Sequence, residues 1–79
     1  MIKVLIHILN EDPVVGEVEE IPSAQTLNIA VHHPRLRDGK PLSYLERDVT
    51  VVIWPMHRIN FVEVYPDDEE EDIISHVRE

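Results

Sequence analysis

Trp54, Met56, His57 and Arg58 fall together where two apolar runs meet, in Ile53-Trp54-Pro55-Met56-His57-Arg58-Ile59. An exposed indole and a guanidinium are groups on which an unpaired nucleic-acid base can stack, at about 1–3 kcal/mol per base. Apolar residues at a strand end more often complete a core or a subunit contact, so Trp54 and Met56 carry a packing reading beside the binding one. A second group, Arg35, Arg37, Lys40 and Tyr44, lies in one stretch with Arg47 and could track a phosphate backbone. Its alternative is a solvated loop whose cations pair with nearby acids, contacts that are worth little when exposed.

Other chemistries find less in the chain. The five histidines include the pair His32-His33, but neighbouring residues on a strand point to opposite faces and do not chelate one ion easily. With no cysteine and no recognisable ligand spacing, no metal site and no cofactor are expected. If copies gather around an axis, repeated histidines could make assembly sensitive to pH. Ser23, Ser43 and Ser75 lie in no nucleophile motif. Gly16 and Gly39 are the only glycines and cannot build a phosphate-cradling loop, so the expectation is a protein that is not an enzyme.

The elements that must position these residues read as strands. Ile2 to Leu9 alternates, with Ile2, Val4, Ile6 and Ile8 on one face and Lys3, Leu5, His7 and Leu9 on the other. Asn10-Glu11-Asp12-Pro13 is a turn signal, and Val14 to Ile21 follows as the second arm of a hairpin. Gly16 inside that arm marks a bend or bulge where a sheet curls. Thr26 to His33 alternates again, with Leu27, Ile29 and Val31 facing inward. Pro34 to Arg47 reads as a long irregular loop, because Pro34, Pro41 and the Asp38-Gly39 turn interrupt any pattern.

Val49 to Trp54, rich in β-branched residues, and Ile59 to Val64, which alternates, are the last two strands. Pro55 cannot continue a ladder, so the chain must turn between them. On the alternation, Ile59, Phe61 and Glu63 share one face and Asn60, Val62 and Val64 the other. Five short strands, a bending glycine and a proline corner predict an all-β fold, a small antiparallel SH3-like barrel over residues 1–66. Residues 67–79 follow as an acidic tail or a short C-terminal helix with Ile73, Ile74 and Val77 on one face.

A chain of 79 residues buries only about 60% of its unfolded surface, which makes oligomerisation a ready source of further burial. The net charge is −9, of which Asp67 to Glu79 carries −6, seven acids against Arg78, leaving −3 for the body. No global basic footprint for nucleic acid exists, so such a site would be local. The acidic run Asp67 to Asp72 could instead engage a basic partner or serve only as a solvated face. No apolar run approaches the roughly 20 residues that span a bilayer, and the first residues lack the form of a signal peptide. The expectation is a cytoplasmic protein with no membrane contact.

The opening hairpin V-L-I-H-I-L…V-V-G-E-V-E-E-I, the Asn in Leu27-Asn28-Ile29 and the closing I-W-P-M-H-R-I-N-F-V together resemble the Sm-like (LSm) proteins. The resemblance spans Ile2 to Val64, and the chain resembles the divergent short forms of the family found among phage and environmental sequences. It implies a strongly bent barrel that closes into a homo-oligomeric ring of about five to seven copies and binds single-stranded RNA or DNA. It also implies that neighbours pair through the last two strands, which assigns Val49, Val51, Ile53, Ile59, Phe61 and Val62 to the subunit interface. The family's reading loops do not carry over residue by residue. Pro22-Ser23-Ala24-Gln25-Thr26 stands where an acid, a hydrophobe and an asparagine are usual, and Pro55-Met56 where Arg-Gly is usual. The alternative function is a protein-interaction or assembly module on an SH3-like barrel.

Overall fold

The computed structural model describes residues 1–66; the expected tail or helix, 67–79, lies outside the described residues. Strands β1 (Ile2–Ile8), β2 (Val14–Val18), β3 (Asn28–Leu36), β4 (Val51–Pro55) and β5 (Ile59–Val64) form one antiparallel sheet in the order β4-β3-β2-β1-β5. The all-β expectation holds: the sheet is curled into a half-barrel, and no α-helix occurs among the described residues. No helix there is long and apolar enough to cross a membrane.

Consecutive strands β4 and β5 stand at opposite edges of the sheet, joined only by a 3-10 turn, Met56–Arg58. So short a bridge requires the sheet to curl until its edges approach. The corner is tied at both ends: the Met56 N–H donates to the Leu27 carbonyl at 2.8 Å, and the Leu9 N–H donates to the Arg58 carbonyl at 2.8 Å. The chain therefore turns after Pro55, as its missing N–H demands.

The concave face carries the core: Val4, Ile6 and Ile8 of β1, Val14 and Val18 of β2, and Ile29 and Val31 of β3. Fully burying such side chains contributes about 1.5–3 kcal/mol each. Leu42, from the segment between β3 and β4, is buried with them, and Leu45 packs alongside. That segment is thus partly a plug for the core. Turns within it are closed by Gly39 N–H to the Leu36 carbonyl at 2.9 Å and Leu45 N–H to the Leu42 carbonyl at 3.3 Å. On the convex face Leu5 and Val15 pair across β1 and β2 and are also buried. Their in-register neighbours are Glu63 on β5 and Arg35 on β3.

Three strands differ in their bounds from the sequence reading by more than one residue. The second strand ends at Val18 rather than Ile21, and the fourth begins at Val51 rather than Val49. The third runs from Asn28 through Pro34 to Leu36. Val15 faces Arg35 while Glu17 faces His32, so β3 carries one extra residue there, and His33 has a left-handed φ of 52°. Proline is tolerated beside such a bulge because the ladder is already interrupted. Leu27, expected inward, precedes β3 and is 79% exposed.

A second bulge lies in β5. Ile8 faces Ile59 and His7 faces Phe61, so Asn60 is the extra residue. The simple alternation therefore breaks, and Ile59 and Val62 both pack against the core. Phe61 is left on the convex face beside His7.

Candidate assembly edges and nucleic-acid interface

The bulge in β3 places Arg35 on a strand, where sequence had it in a loop. Its guanidinium grips Glu17 of β2 in a two-pronged pair, 3.1 Å to Oε1 and 2.9 Å to Oε2, and also donates to the His33 carbonyl at 2.8 Å. The hydrogen bonds from Arg35 hold the Glu17 carboxyl below its ordinary value, against the opposing pull of burial, and Glu17 in turn raises Arg35. Because the folded value is depressed, this stabilisation is present above the ordinary carboxylate range, near pH 4.3, and is lost as pH falls through the lowered value. Both side chains are partly exposed, so replacing Glu17 with glutamine should cost about 0.5–1 kcal/mol at pH 7. The difference between variant and wild type in urea denaturation should shrink as the pH falls below the ordinary carboxylate range and vanish once Glu17 is protonated in the folded protein.

The remaining loop candidates do not gather into one basic face. Arg37 is exposed at a shallow groove shared with Asp12 and Asp38. Lys40 lies 4.0 Å from Asp38, whose Oδ1 also accepts from the Lys40 backbone N–H at 3.0 Å. Tyr44 is half exposed beside Glu11 and Asp12; burial pushes its hydroxyl upward, and the Glu11 charge adds to that. Arg35, Arg37, Lys40 and Tyr44 thus each stand next to a carboxylate, and a phosphate there would meet local negative charge.

At the corner, Trp54 and Met56 are half buried and pack against the core, whereas His57 and Arg58 are exposed. Among the described residues no carboxylate forms an ion pair with His57 or Arg58. The 3-10 turn has no buried residue, and its two basic side chains project from a backbone tied by hydrogen bonds at Met56 and Arg58.

The sheet edges are the more distinctive feature. Among the described residues, strands β4 and β5 each have one neighbour, which leaves one side of each backbone unpaired there. Val51 and Ile53 of β4 are 40% and 66% exposed, and Phe61 and Val64 of β5 are 54% and 45% exposed. Val49, just before β4, is exposed as well. Ile59 and Val62, in contrast, are largely committed to this chain's own core. An unblunted apolar edge is a template for another strand. Beside β5 a groove of about 290 Å³ opens, lined by Ile21, Pro22 and Ser23 from the loop after β2 and by Met56, Ile59 and Val62. Sequence reasoning missed this groove, although the apolar Ile21-Pro22 pair stranded in a polar loop was its available signal.

Three histidines lie beside glutamates. His7 Nε2 is 2.6 Å from Glu63 Oε1, His32 Nε2 is 3.8 Å from Glu19, and His33 Nδ1 is 4.0 Å from Glu17. Among the described residues no three acidic or imidazole side chains converge as metal ligands. What the geometry offers among the described residues is surface chemistry: two apolar strand edges, a groove beside β5, and two exposed basic groups at the corner. No protein-family model matches this chain, and neither a curated protein nor a solved structure matches it.

Proposed function

We propose that the chain is a non-catalytic, Sm-like subunit that closes into a homo-oligomeric ring and handles single-stranded RNA or DNA. The observation that carries this reading is the pair of apolar edges, unpaired among the described residues, at opposite ends of one sheet. Pairing β4 of one copy with β5 of the next is a head-to-tail contact, and such contacts close into a ring when the rotation permits. The two strands match in length, five residues and six. Each new pairing satisfies backbone groups and covers Val51, Ile53 and Phe61, adding the burial that so small a domain lacks.

In that assembly every copy repeats its corner, so His57 and Arg58 recur around one circle. A recurring cation is a better match for a flexible strand than one isolated arginine, and stacking on guanidinium tolerates any base. The test has two stages. Light scattering on a sizing column should give about five to seven chains per particle; a single chain would remove the ring. Titration of a labelled single strand into the assembled protein at low salt should then show binding that weakens with added salt and falls on Arg58→Ala. An intact ring that binds neither RNA nor DNA would end the nucleic-acid part.

A second reading, a protein-interaction module, is favoured by the carboxylate beside each loop cation. Deleting residues 67–79 separates the two. If the tail only screens a nucleic-acid site, binding strengthens; if the tail is itself the contact, partner binding disappears.

A further inference from the structure

The β5 edge is held by one side chain from its neighbouring strand. His7, on the convex face of β1, stacks on Phe61 with ring centroids 4.0 Å apart and planes 22° from parallel. Its Nε2 reaches Glu63 Oε1 at 2.6 Å, so one imidazole sets the position of both convex-facing side chains of β5. Phe61 is more than half exposed, and the Glu63 side chain is 58% exposed against 23% for His7. The more enclosed part of this cluster is the imidazole, and the parts turned outward are an aromatic ring and a carboxylate.

We propose that His7 is the positioning residue of the β5 edge, holding Phe61 as the anchor for a second copy, and that its protonation tightens the contact. This rests on the edge-pairing reading above. The occupant is a second copy because the other free edge of the same sheet, β4, turns Val51 and Ile53 outward. A neighbour's β4 laid along β5 covers Phe61 and takes water from Glu63. A desolvated carboxylate is costly unless it is paired. With neutral His7 the carboxylate has a hydrogen bond but no counter-charge. With protonated His7 it has both, and the imidazolium also sits on the face of Phe61, a cation on an aromatic ring.

The other charged groups of the neighbouring strands have partners of their own. Lys3, also on β1, lies over the Tyr65 ring at 4.8 Å; Glu17 on β2 is held by Arg35 of β3, with His33 Nδ1 4.0 Å away; His32, in register with Glu17, lies 3.8 Å from Glu19; and Glu63 is the acid on β5. Glu63 is therefore the group that responds to His7. A contact that favours the protonated imidazole takes up as much as one proton per interface, so its association constant changes by up to about tenfold per pH unit while histidine titrates.

The experiment is sedimentation of the full chain at a series of concentrations, at pH 7.5 and pH 6.0 in the same salt. Wild type should associate about fivefold to tenfold more tightly at pH 6.0. His7→Gln and Glu63→Gln should each show a change below about twofold, which also measures the general loss of self-repulsion in an acidic protein on acidification. Circular dichroism of both variants checks that the sheet is intact, and the two variants fail independently if either misfolds. Association with equal pH dependence in wild type and variants would overturn the role of His7 while leaving edge pairing in place. A chain that stays monomeric at both pH values would overturn both.

Discussion

Replacing Gly16 with alanine should destabilise the half-barrel by about 3 kcal/mol, the upper part of the range for overpacking a closed core. Gly16 faces Val4 across β2 and β1. A Cβ at this position would stand 2.3 Å from Val31 Cγ1 and 3.0 Å from the His32 carbonyl oxygen. Neither neighbour can give way cheaply. Val31 is fully buried among the core residues, and the carbonyl belongs to the backbone of β3 next to its bulge. The missing side chain is what lets β2 lie closely enough on β3 for the sheet to curl, and the curl lets a three-residue corner join opposite edges. A domain of this size has about 5 kcal/mol to lose, and a urea slope near 1 kcal/mol/M would turn the loss into a midpoint about 3 M lower. The control is a double-mutant cycle. In a Val31→Ala background the clashing methyl is gone, so Gly16→Ala should cost markedly less there. Equal costs in both backgrounds would show that the close approach is not what Gly16 is for.

Placing lysine at Ile53 should leave the fold intact and take the assembly apart. Ile53 is 66% exposed on the outer strand of the sheet, opposite exposed Ala30, so its replacement removes little from the core. A surface change of this kind stays within about 0.5 kcal/mol of wild-type stability. In the proposed ring the same position meets a neighbour's β5, where an ammonium ion must be desolvated and about 2 kcal/mol of apolar burial is lost. Association at each edge should weaken by at least about 100-fold, enough to turn a ring into single chains at micromolar concentration. Light scattering reads this as a fall in mass to that of one chain, with an unchanged far-ultraviolet spectrum. Ile53→Val, which keeps the apolar edge, should retain the ring. Persistence of the full mass in Ile53→Lys would place the contact elsewhere.

How much of the site could be read in the sequence depended on the range of the interaction. Pro55 announced the corner, since a missing N–H and a fixed φ act on the residues beside them. Arg35 went the other way. It belonged on composition to a basic loop, yet in the fold it is spent on Glu17, eighteen residues earlier. Pro34 hid the extension of β3 because a proline argues against a strand unless a bulge has already broken the ladder. The apolar face of β5 was misphased by Asn60, a residue that looks like any other step of an alternation.

The sequence by itself determined the all-β class, the presence of the five strands, an irregularity at Gly16 and the turn after Pro55. These follow from side-chain alternation and backbone permissions, which act over a few residues whatever the rest of the chain does. Only the tertiary structure decided that Leu42 plugs the core, that Arg35 is spent on Glu17, and that His7 reaches Phe61 and Glu63. Those outcomes depend on strand order and on a one-residue register shift, and a single inserted residue reverses which face every later side chain occupies.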